Sequence, residues 1–276
     1  MHLLAALLLL FLASGAEAFR ICAFNAQRLT LSKMAREHVM DTLVRIVARC
    51  DVMVLQEVVD SSDGAIKLLL RELNRTHKTK VLGQYVYNDK DDLFAREPFV
   101  AQFALPSKVL PSLVLIPLHT TPKAVEKELG ALYDVFLDVS QQWQSEEVIL
   151  LGDFNADCAS LSKKRLGELM LRTQPGFHWA IGDGEDTTVR ASTHCAYDRI
   201  VLHGERCQQL LRVAAAFDFP KSFLLSELEA LNISDHYPVE VELSTAAHTG
   251  QPLGPSPLLL LSLLLPLLPP QLGPVA

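Results

Sequence analysis

The chain alternates short apolar runs with polar clusters, and four of the runs are followed, at once or after one glycine, by an amide, a carboxylate or a histidine. These four runs cover residues 19–24, 52–56, 113–118 and 148–151. Short apolar and β-branched runs bounded by polar positions are typical of strands. The same pattern predicts further strands at residues 80–87, 99–105, 199–202 and 239–243.

Three segments show helical spacing instead. Residues 32–48 repeat apolar side chains at that spacing, with Ser32 placed to cap the first turn. Residues 65–73 and 124–143 predict a second and a third helix. Strands outnumber helices and alternate with them only partly, so we expect an α/β fold in which two packed sheets are flanked by helices. Residues 19–243 contain no internal repeat and no linker, which predicts one domain.

The two ends of the chain differ from this central part. An apolar run at residues 3–13, followed by the small-x-small sequence at 16–18, predicts a signal peptide over residues 1–18. Residues 244–276 are rich in Leu and Pro and carry no charge. They predict either a removable signal for a GPI anchor or a tail without function, and less readily a spanning helix, because proline opposes one. We therefore expect entry into the endoplasmic reticulum, followed by secretion or anchoring at the cell surface.

Charge and cysteine content narrow the picture further. A formal net charge of −7 argues against nucleic-acid binding by overall charge, although a bound metal and a local basic patch can replace it. Arg96 is the best candidate for such a contact. The five cysteines suit an oxidising compartment. Cys22 and Cys50 lie in apolar elements and are predicted to be buried thiols, whereas Cys207 receives no assignment.

Two N-x-S/T sequons occur, at Asn74 and Asn232. Asn232 stands three residues before Asp235, so a glycan there would border the expected cleft. Asn74 lies in a short junction between predicted elements, and we expect it to carry no glycan.

The residues after the strands are of the types that hold a hard cation through oxygen and move protons through histidine. Asp153 and Asn155 are two apart in extended chain and project to the same side, so both can meet one metal or phosphate. An isolated Asp-x-Asn is more often a turn. Glu57 is either a cation ligand or an exposed strand end, and its neighbours favour the ligand.

Histidines follow two strands in the same manner. One strand-end histidine is more often a structural hydrogen-bonder, but His119 and His236 together suggest a general acid and a general base on opposite sides of a phosphorus centre. Asp198 is suited to orient one imidazole and to stabilise its cationic form. The pattern therefore predicts metal-dependent hydrolysis of a phosphate ester.

Seven short motifs give the chain a family resemblance. They are Phe-Asn-Ala-Gln at 24–27, Gln-Glu-Val at 56–58, Arg-Glu-Pro at 96–98, Leu-His-Thr at 118–120, Gly-Asp-Phe-Asn-Ala-Asp at 152–157, Cys-Ala-Tyr-Asp-Arg at 195–199 and Ser-Asp-His-Tyr-Pro-Val at 234–239. The chain resembles the endonuclease/exonuclease/phosphatase superfamily and, within it, the deoxyribonuclease I family, over about residues 19–243. The resemblance implies a four-layer α/β sandwich and an endonuclease that hydrolyses DNA phosphodiester bonds with magnesium (Mg²⁺) and calcium (Ca²⁺).

The resemblance also implies roles for single residues. Glu57 with Asn25 would hold the catalytic Mg²⁺, while Asp153 and Asn155 would bind a second ion or the scissile phosphate. The remaining roles are proton transfer by His236 with Asp198 and by His119, support of the metal region by Asp235, a DNA contact by Arg96, and a disulfide between Cys158 and Cys195. A monomer without a protein partner is expected.

One region departs from the family pattern. Relatives carry about thirty more residues between the helix at 65–73 and the strand at 80, including a strand with the glutamate that orients the histidine matching His119. In this chain, residues 74–78 connect the predicted helix directly to the predicted strand. Without that strand we expect weak or no catalysis, so a DNA-binding or decoy role is the alternative to a working endonuclease. Phosphoinositide or sphingomyelin hydrolysis, which the superfamily also performs, is less favoured.

Overall fold

The computed structural model of the chain describes residues 18–60, 64–73 and 79–246. Its elements are β1 (Ala18–Leu29), α1 (Leu31–Met34), α2 (Glu37–Val47), β2 (Val52–Val58), α3 (Gly64–Leu73), β3 (Lys80–Val86), β4 (Phe99–Ala104), β5 (Ser112–Pro117), α4 (Val125–Trp143), β6 (Val148–Asp153), α5 (Lys163–Glu168), α6 (Met170–Thr173), β7 (Phe177–Trp179), β8 (Asp198–His203), α7 (Glu205–Leu210), β9 (Leu211–Ala216), α8 (Phe219–Phe223), α9 (Glu227–Leu231) and β10 (Val239–Ser244). Within these residues, none of the helices combines the length and apolar character that a membrane crossing requires.

Several expectations fall outside this description. Residues 1–17 of the expected signal peptide, the sequon at Asn74 and residues 247–276 of the apolar tail are not among the described residues. The domain boundaries at residues 18 and 243 therefore stay predictions.

The strands form two mixed sheets. The smaller sheet has four strands in the order β2-β1-β10-β9, and the larger has six in the order β3-β4-β5-β6-β8-β7. Among the described strands, the pairs β1–β2 and β5–β6 are parallel and the other pairs are antiparallel. In both parallel pairs the strands end at the same edge of their sheet, which brings the polar residues that follow them together.

Three apolar clusters hold the layers together. One lies between the sheets and includes Ile21, Val241 and Ile149. A second joins the larger sheet to α4, α5 and α6, and a third joins the smaller sheet to α2, α3 and the short helices α8 and α9. The order helix, sheet, sheet, helix confirms the four-layer α/β sandwich.

The helix expected at residues 32–48 is two helices. Arg36 has an extended backbone, with ψ at 112°, so the chain leaves the first helix and starts α2 at Glu37. The cap of α1 is Thr30, whose hydroxyl accepts the Lys33 N–H, and not Ser32. Strands β7 and β9 were not predicted. The sequence of β9 reads LRVAAA, whose alanines carry too little apolar contrast to show a strand period.

The prediction of free thiols at Cys22 and Cys50 is wrong, because these two residues form a disulfide with Cα atoms 6.1 Å apart. Cys22 lies in β1, and Cys50 lies in the turn after α2, two residues before the start of β2, which pairs in parallel with β1. Cys158 and Cys195 form the second disulfide, as the resemblance implied. Cys207 is a buried free thiol, and burial raises its pKa.

Candidate active site

Polar residues of both sheets meet at one edge of the sandwich. The smaller sheet supplies Asn25 from β1 and Glu57 from β2, which are neighbours because the two strands run parallel. The larger sheet supplies Asp153 at the end of β6 directly opposite Asp198 at the start of β8. The fold thus brings together four residues that are far apart in the sequence.

Asn25 joins the two sheets at this edge. Its side chain is buried, and its amide nitrogen donates to Glu57 Oε1 and to Asp153 Oδ2, both at 3.0 Å. Its side-chain oxygen accepts the Gln27 N–H at 2.9 Å. One amide therefore fixes the separation of two carboxylates that would otherwise repel each other.

Glu57 has a left-handed backbone, with φ at 56°, which is strained for a residue that is not glycine. Burial acts to raise the pKa of its carboxyl group. The hydrogen bonds from Asn25 and from the Arg28 N–H, together with the two nearby imidazoles, outweigh burial and lower this pKa below its ordinary value. The carboxylate of Glu57 is thus held ionised at the open side of the site.

Asp153 is almost fully enclosed, with 2% of its surface exposed. Burial, and next the Asp198 carboxylate opposite, raise its pKa. Its backbone N–H donates to Gln56 Oε1 at 2.8 Å, while the Gln56 amide donates to the Leu118 carbonyl at 2.8 Å. Gln56 therefore fastens the smaller sheet to two strand ends of the larger sheet.

The residue before Asp153 is a glycine because two groups lie too close to it for a side chain. Gly152 has a φ of 132°, and a Cβ added there would overlap the Gln56 side chain and the Leu118 carbonyl. Two residues on, Asn155 also has a positive φ, at 47°, and its amide donates to the Thr120 carbonyl at 3.2 Å. Its N–H donates to Asp153 Oδ1 at 3.0 Å. Asp153 and Asn155 thus meet in one turn, and the backbone at Asn155 is left-handed and not extended as the spacing argument assumed.

His236 and Asp198 form a tight pair. Nδ1 of His236 lies 2.7 Å from Asp198 Oδ2, which leaves Nε2 facing Asp153 Oδ2 at 3.7 Å. Burial acts to lower the pKa of His236. The Asp198 carboxylate, and then Asp153 and Asp235, outweigh burial and raise it to about 10. Asp198 therefore both orients this imidazole and stabilises its charged form.

His119 approaches Asp153 from the other side. Its Nε2 lies 3.5 Å from Asp153 Oδ2 and 3.9 Å from Glu57 Oε1. Burial lowers the pKa of His119, and although Asp153 and Glu57 act against this, the pKa stays below its ordinary value. Among the described residues, no carboxylate hydrogen-bonds to Nδ1 of His119 in the way that Asp198 holds His236.

The other expected residues lie at the margin. Arg96 is exposed and donates to the His119 carbonyl at 3.1 Å, so it sits beside the site without entering it. Asp235 is partly exposed, with Oδ1 4.0 Å from His236 Nε2. Asn232 ends α9, where its amide donates to the Leu228 carbonyl. Glycosylation of Asn232 stays a prediction.

Three supporting residues were missed by the sequence analysis. Gln56 stood in a motif but had no assigned role. Lys33 is buried, donates to the carbonyls of Ala26 and Gln27, and has its pKa lowered by burial to about 8. Thr187 accepts the N–H groups of Tyr197 and Asp198. A buried lysine and a buried threonine carry no sequence signal that separates them from exposed ones.

The residues at this edge fit a divalent cation. Asp153, Asp198 and His236 offer ligand atoms that all lie within 4.8 Å of one another. Asp198 Oδ1 is buried and, among the described residues, has no hydrogen-bond donor. An uncompensated buried carboxylate oxygen is costly, and a cation nearby would compensate it. Glu57 and Asn155 are further oxygen donors at the same edge.

Comparisons with known proteins identify the family and the fold. The model of the Endonuclease/Exonuclease/phosphatase family matches residues 22–236. Deoxyribonuclease-1-like 1 of Homo sapiens is 71% identical over 300 positions, which span 98% of this chain and 99% of that protein. Deoxyribonuclease gamma of Rattus norvegicus is 40% identical over 280 positions, spanning 88% and 90% of the two chains. The crystal structure of D. rerio TDP2 complexed with single strand DNA product shares the fold, with a TM-score of 0.58, 16% identity and coverage of 82% and 98%.

The match to the human protein also reveals a gap. It runs over 300 positions, although 98% of the 276 residues amounts to about 270, so about thirty positions of the relative have no counterpart in this chain. This agrees with the length of the segment expected to be missing, whose location between residues 73 and 80 stays a prediction. A family model that covers most of the chain and a relative that spans nearly all of it show that the chain belongs to the endonuclease/exonuclease/phosphatase family and, within it, to the deoxyribonuclease I branch.

Proposed function

We propose that this protein is a divalent-metal-dependent endonuclease that hydrolyses phosphodiester bonds in DNA. Two relatives that match nearly the whole chain are named deoxyribonucleases. The site contains carboxylates, an amide and two histidines at one edge of the sandwich, as phosphate-ester hydrolysis requires.

The observation that carries the proposal is the placement of two imidazoles on either side of one carboxylate. Nε2 of His119 and Nε2 of His236 lie 3.5 Å and 3.7 Å from the same oxygen, Asp153 Oδ2. The pKa of His119 is lowered and that of His236 is raised, so the two rings differ in charge near neutral pH. Groups whose pKa values are moved apart can act as a proton acceptor and a proton donor in one reaction.

The roles of the other residues follow from their contacts. Asp198 holds Nδ1 of His236, so that Nε2 is the atom that exchanges a proton with the substrate. Asn25 keeps Glu57 and Asp153 apart and in place. Glu57, Asp153 and Asn155, together with Asp198 Oδ1, would hold Mg²⁺, with Ca²⁺ as a supporting ion, because these hard cations prefer oxygen ligands. Bound there, a cation would polarise the phosphate and offset its charge.

DNA would reach the site beside Arg96. This guanidinium is exposed next to His119, and arginine contacts phosphate groups in a sequence-independent way. The net charge of −7 does not attract DNA, so a contact between Arg96 and a DNA phosphate would supply the positive charge locally.

Nicking of supercoiled plasmid by the purified protein, in Mg²⁺ plus Ca²⁺, tests the proposal. We expect nicking that a chelator abolishes and that His236→Ala reduces at least about 100-fold, as is typical for loss of a general acid or base. His178→Ala is the control, because His178 is an exposed histidine on β7. Equal nicking by the His236 variant and the control would contradict the proposal.

A second function has an observation in its favour. His119 lacks an orienting carboxylate among the described residues, and about thirty positions of the human relative are missing here. The protein would then bind DNA through the same site with little or no turnover. The nicking assay separates the two functions when it is run beside a DNA-binding measurement in Ca²⁺, since binding without nicking supports the second one.

We also propose that the protein is secreted or anchored at the cell surface. Its two disulfides are typical of proteins that fold in an oxidising compartment. Release from cells by a phospholipase that cuts GPI anchors would support the anchor, and appearance in the medium without treatment would support secretion. A faster-migrating band for Asn232→Gln would support glycosylation at that position.

A further inference from the structure

The smaller sheet ends in an edge strand beside the active site. On the side away from β1, none of the described residues pairs with β2. Alternate N–H and C=O groups of an edge strand have no ladder partner, and natural proteins usually cover or blunt such edges. The seven residues of β2 read VMVLQEV and include neither proline nor lysine, so the edge is open to pairing.

The two sheets differ in width on this side. β1 packs over β6 and β10 packs over β8, so the larger sheet continues past β2 with β4 and β3. Neighbouring strands in a sheet lie about 4.8 Å apart, so the uncovered part is about 10 Å wide. The smaller sheet therefore ends two strands short of the larger one.

The uncovered surface is an apolar groove of about 380 Å³, which we call the β2 groove. Val54 of β2 and Phe99 and Phe103 of β4 line it, and Leu115 and Pro117 of β5 form its floor. Phe99 is 45% exposed, an unusual position for a phenylalanine in a sheet. At the end nearest the active site, the groove is bordered by Arg96 and His119.

An open strand edge above an apolar floor fits an extended peptide. The unpaired groups of β2 would supply the backbone hydrogen bonds, and alternate side chains of the peptide would point into the groove. The exposed Arg96 guanidinium at one end of the groove favours a single carboxylate of the peptide beside it, whereas Glu97 in the same lining opposes any larger negative charge there.

Two other occupants fit less well. A second copy that paired through its own β2 would offer Glu57 as the only carboxylate of that strand, and Glu57 is already held in the active site by Asn25 and the Arg28 N–H. The C-terminal segment 247–276 contains no acidic side chain that could meet Arg96. A strand from another polypeptide is free of both difficulties.

We propose that the β2 groove binds an extended segment of another polypeptide as a fifth strand of the smaller sheet. The segment has apolar side chains at alternate positions and a carboxylate at the end near Arg96. This proposal does not depend on catalysis, so it stands or falls separately from the nuclease function.

A synthetic peptide tests the proposal on the full protein. The probe is a fluorescein-labelled nine-residue peptide with valine at alternate positions, threonine between them and one terminal glutamate. We expect saturable binding by fluorescence anisotropy, and slower amide hydrogen exchange in β2. Exchange in β9, the other edge strand of the same sheet, should not change. A peptide with N-methylated backbone amides cannot extend the ladder and should bind at least about tenfold more weakly, a loss of about 1.4 kcal/mol.

A matched pair of variants locates the binding. Phe99→Lys puts a charge into the groove, whereas Val213→Lys puts one on β9, at a residue with nearly the same exposure, 44% against 45%. Both residues are on the surface, so both variants should fold, which thermal melting checks. We expect Phe99→Lys to bind the peptide about tenfold more weakly than the unaltered protein, and Val213→Lys to bind it with unchanged affinity.

Several results would overturn the proposal. Absence of binding, or equal binding by the N-methylated peptide, would exclude strand addition. A dimer in sedimentation, with β2 protected before peptide is added, would assign the groove to a second copy. Binding that appears only after residues 247–276 are removed would assign it to the chain's own C-terminal segment.

Discussion

At the scale of single residues, the site depends on hydrogen bonds that set charge as well as position. Asp198 contacts His236 at 2.7 Å, and a chain of bonds continues from Gln56 through Asp153 to Asn25 and Glu57. Each side chain in this chain of bonds is held by another. A change to one of them should therefore disturb its bonded neighbours as well as the residue itself.

Asp198→Asn tests this at the histidine pair. The amide keeps the shape of the side chain but removes the charge and favours the wrong tautomer of His236. We expect the nicking rate to fall by about 100- to 10,000-fold, as is found when the orienting aspartate of a catalytic histidine is replaced. Nicking kinetics measure the loss, and circular dichroism checks that the variant is folded. An unchanged rate would mean that His236 does not exchange protons in the reaction.

The same pair makes the stability of the protein depend on pH. The pKa of His236 is about 10 in the folded protein, above its ordinary value of 6.5 in an unfolded chain. The stabilisation is therefore fully present below pH 6.5 and is lost as the pH rises towards 10. In urea unfolding, the difference in unfolding free energy between the wild type and His236→Gln should be largest at pH 6 and smallest at pH 10. A difference that grows with pH would show the opposite sign of linkage.

Gln56 supports the site by bonding to the backbone of Leu118 and Asp153. Gln56→Met has a similar volume but leaves the Leu118 carbonyl and the Asp153 N–H without their partners. We expect a loss of about 1–3 kcal/mol in the free energy of unfolding, measured in urea, because both groups are buried. Gln102→Met on β4 is the control, since no hydrogen bond ties that side chain to another strand among the described residues. Equal effects of the two variants would remove the bridging role of Gln56.

At the scale of elements, the sequence indicated the strands whose apolar runs end at polar motifs, and it placed β2, β5 and β6 to within a few residues. The prediction failed for elements whose structure depends on contacts with distant parts of the chain. The single predicted helix is divided at Arg36, because the backbone of that residue is extended. Strand β9 forms because it pairs with β10, although its alanine-rich composition does not indicate a strand. The site residues at strand ends were found from motifs, but the bonds between them depend on both sheets and could not be found from one segment.

The Cys22–Cys50 disulfide shows the same limit. The two cysteines are 28 positions apart and lie in unrelated apolar segments, so only the parallel pairing of β1 and β2 brings them together. Titration of the unfolded, unreduced protein should find one free thiol, Cys207. Cys22→Ser with Cys50→Ser should lower the unfolding free energy by about 3–4 kcal/mol, as expected for a loop of this length. Three free thiols in the unaltered protein would show that this bridge does not form.

At the scale of the whole molecule, the unequal widths of the sheets and the missing positions describe one feature. Helix α3 packs on the smaller sheet and ends at Leu73, whereas β3, which begins at Lys80, is the far edge of the larger sheet. In the sequence, residues 74–79 make the crossing between these two elements. About thirty residues inserted at this crossing would lie where the smaller sheet is two strands short.

Insertion of the unmatched segment of the human relative between Leu73 and Thr79 tests this placement. If the segment adds strands beside β2, the variant should have a higher melting temperature and faster nicking, and it should no longer bind the valine-rich peptide. A glycine- and serine-rich insert of equal length is the control, because it lengthens the loop without filling an apolar groove, and a longer loop alone costs little. Calorimetry, the plasmid assay and anisotropy then measure the three effects on the same samples. If nicking becomes faster and peptide binding does not change, the inserted segment acts on His119 without filling the β2 groove. If both inserts behave alike, the missing positions do not belong between Leu73 and Thr79.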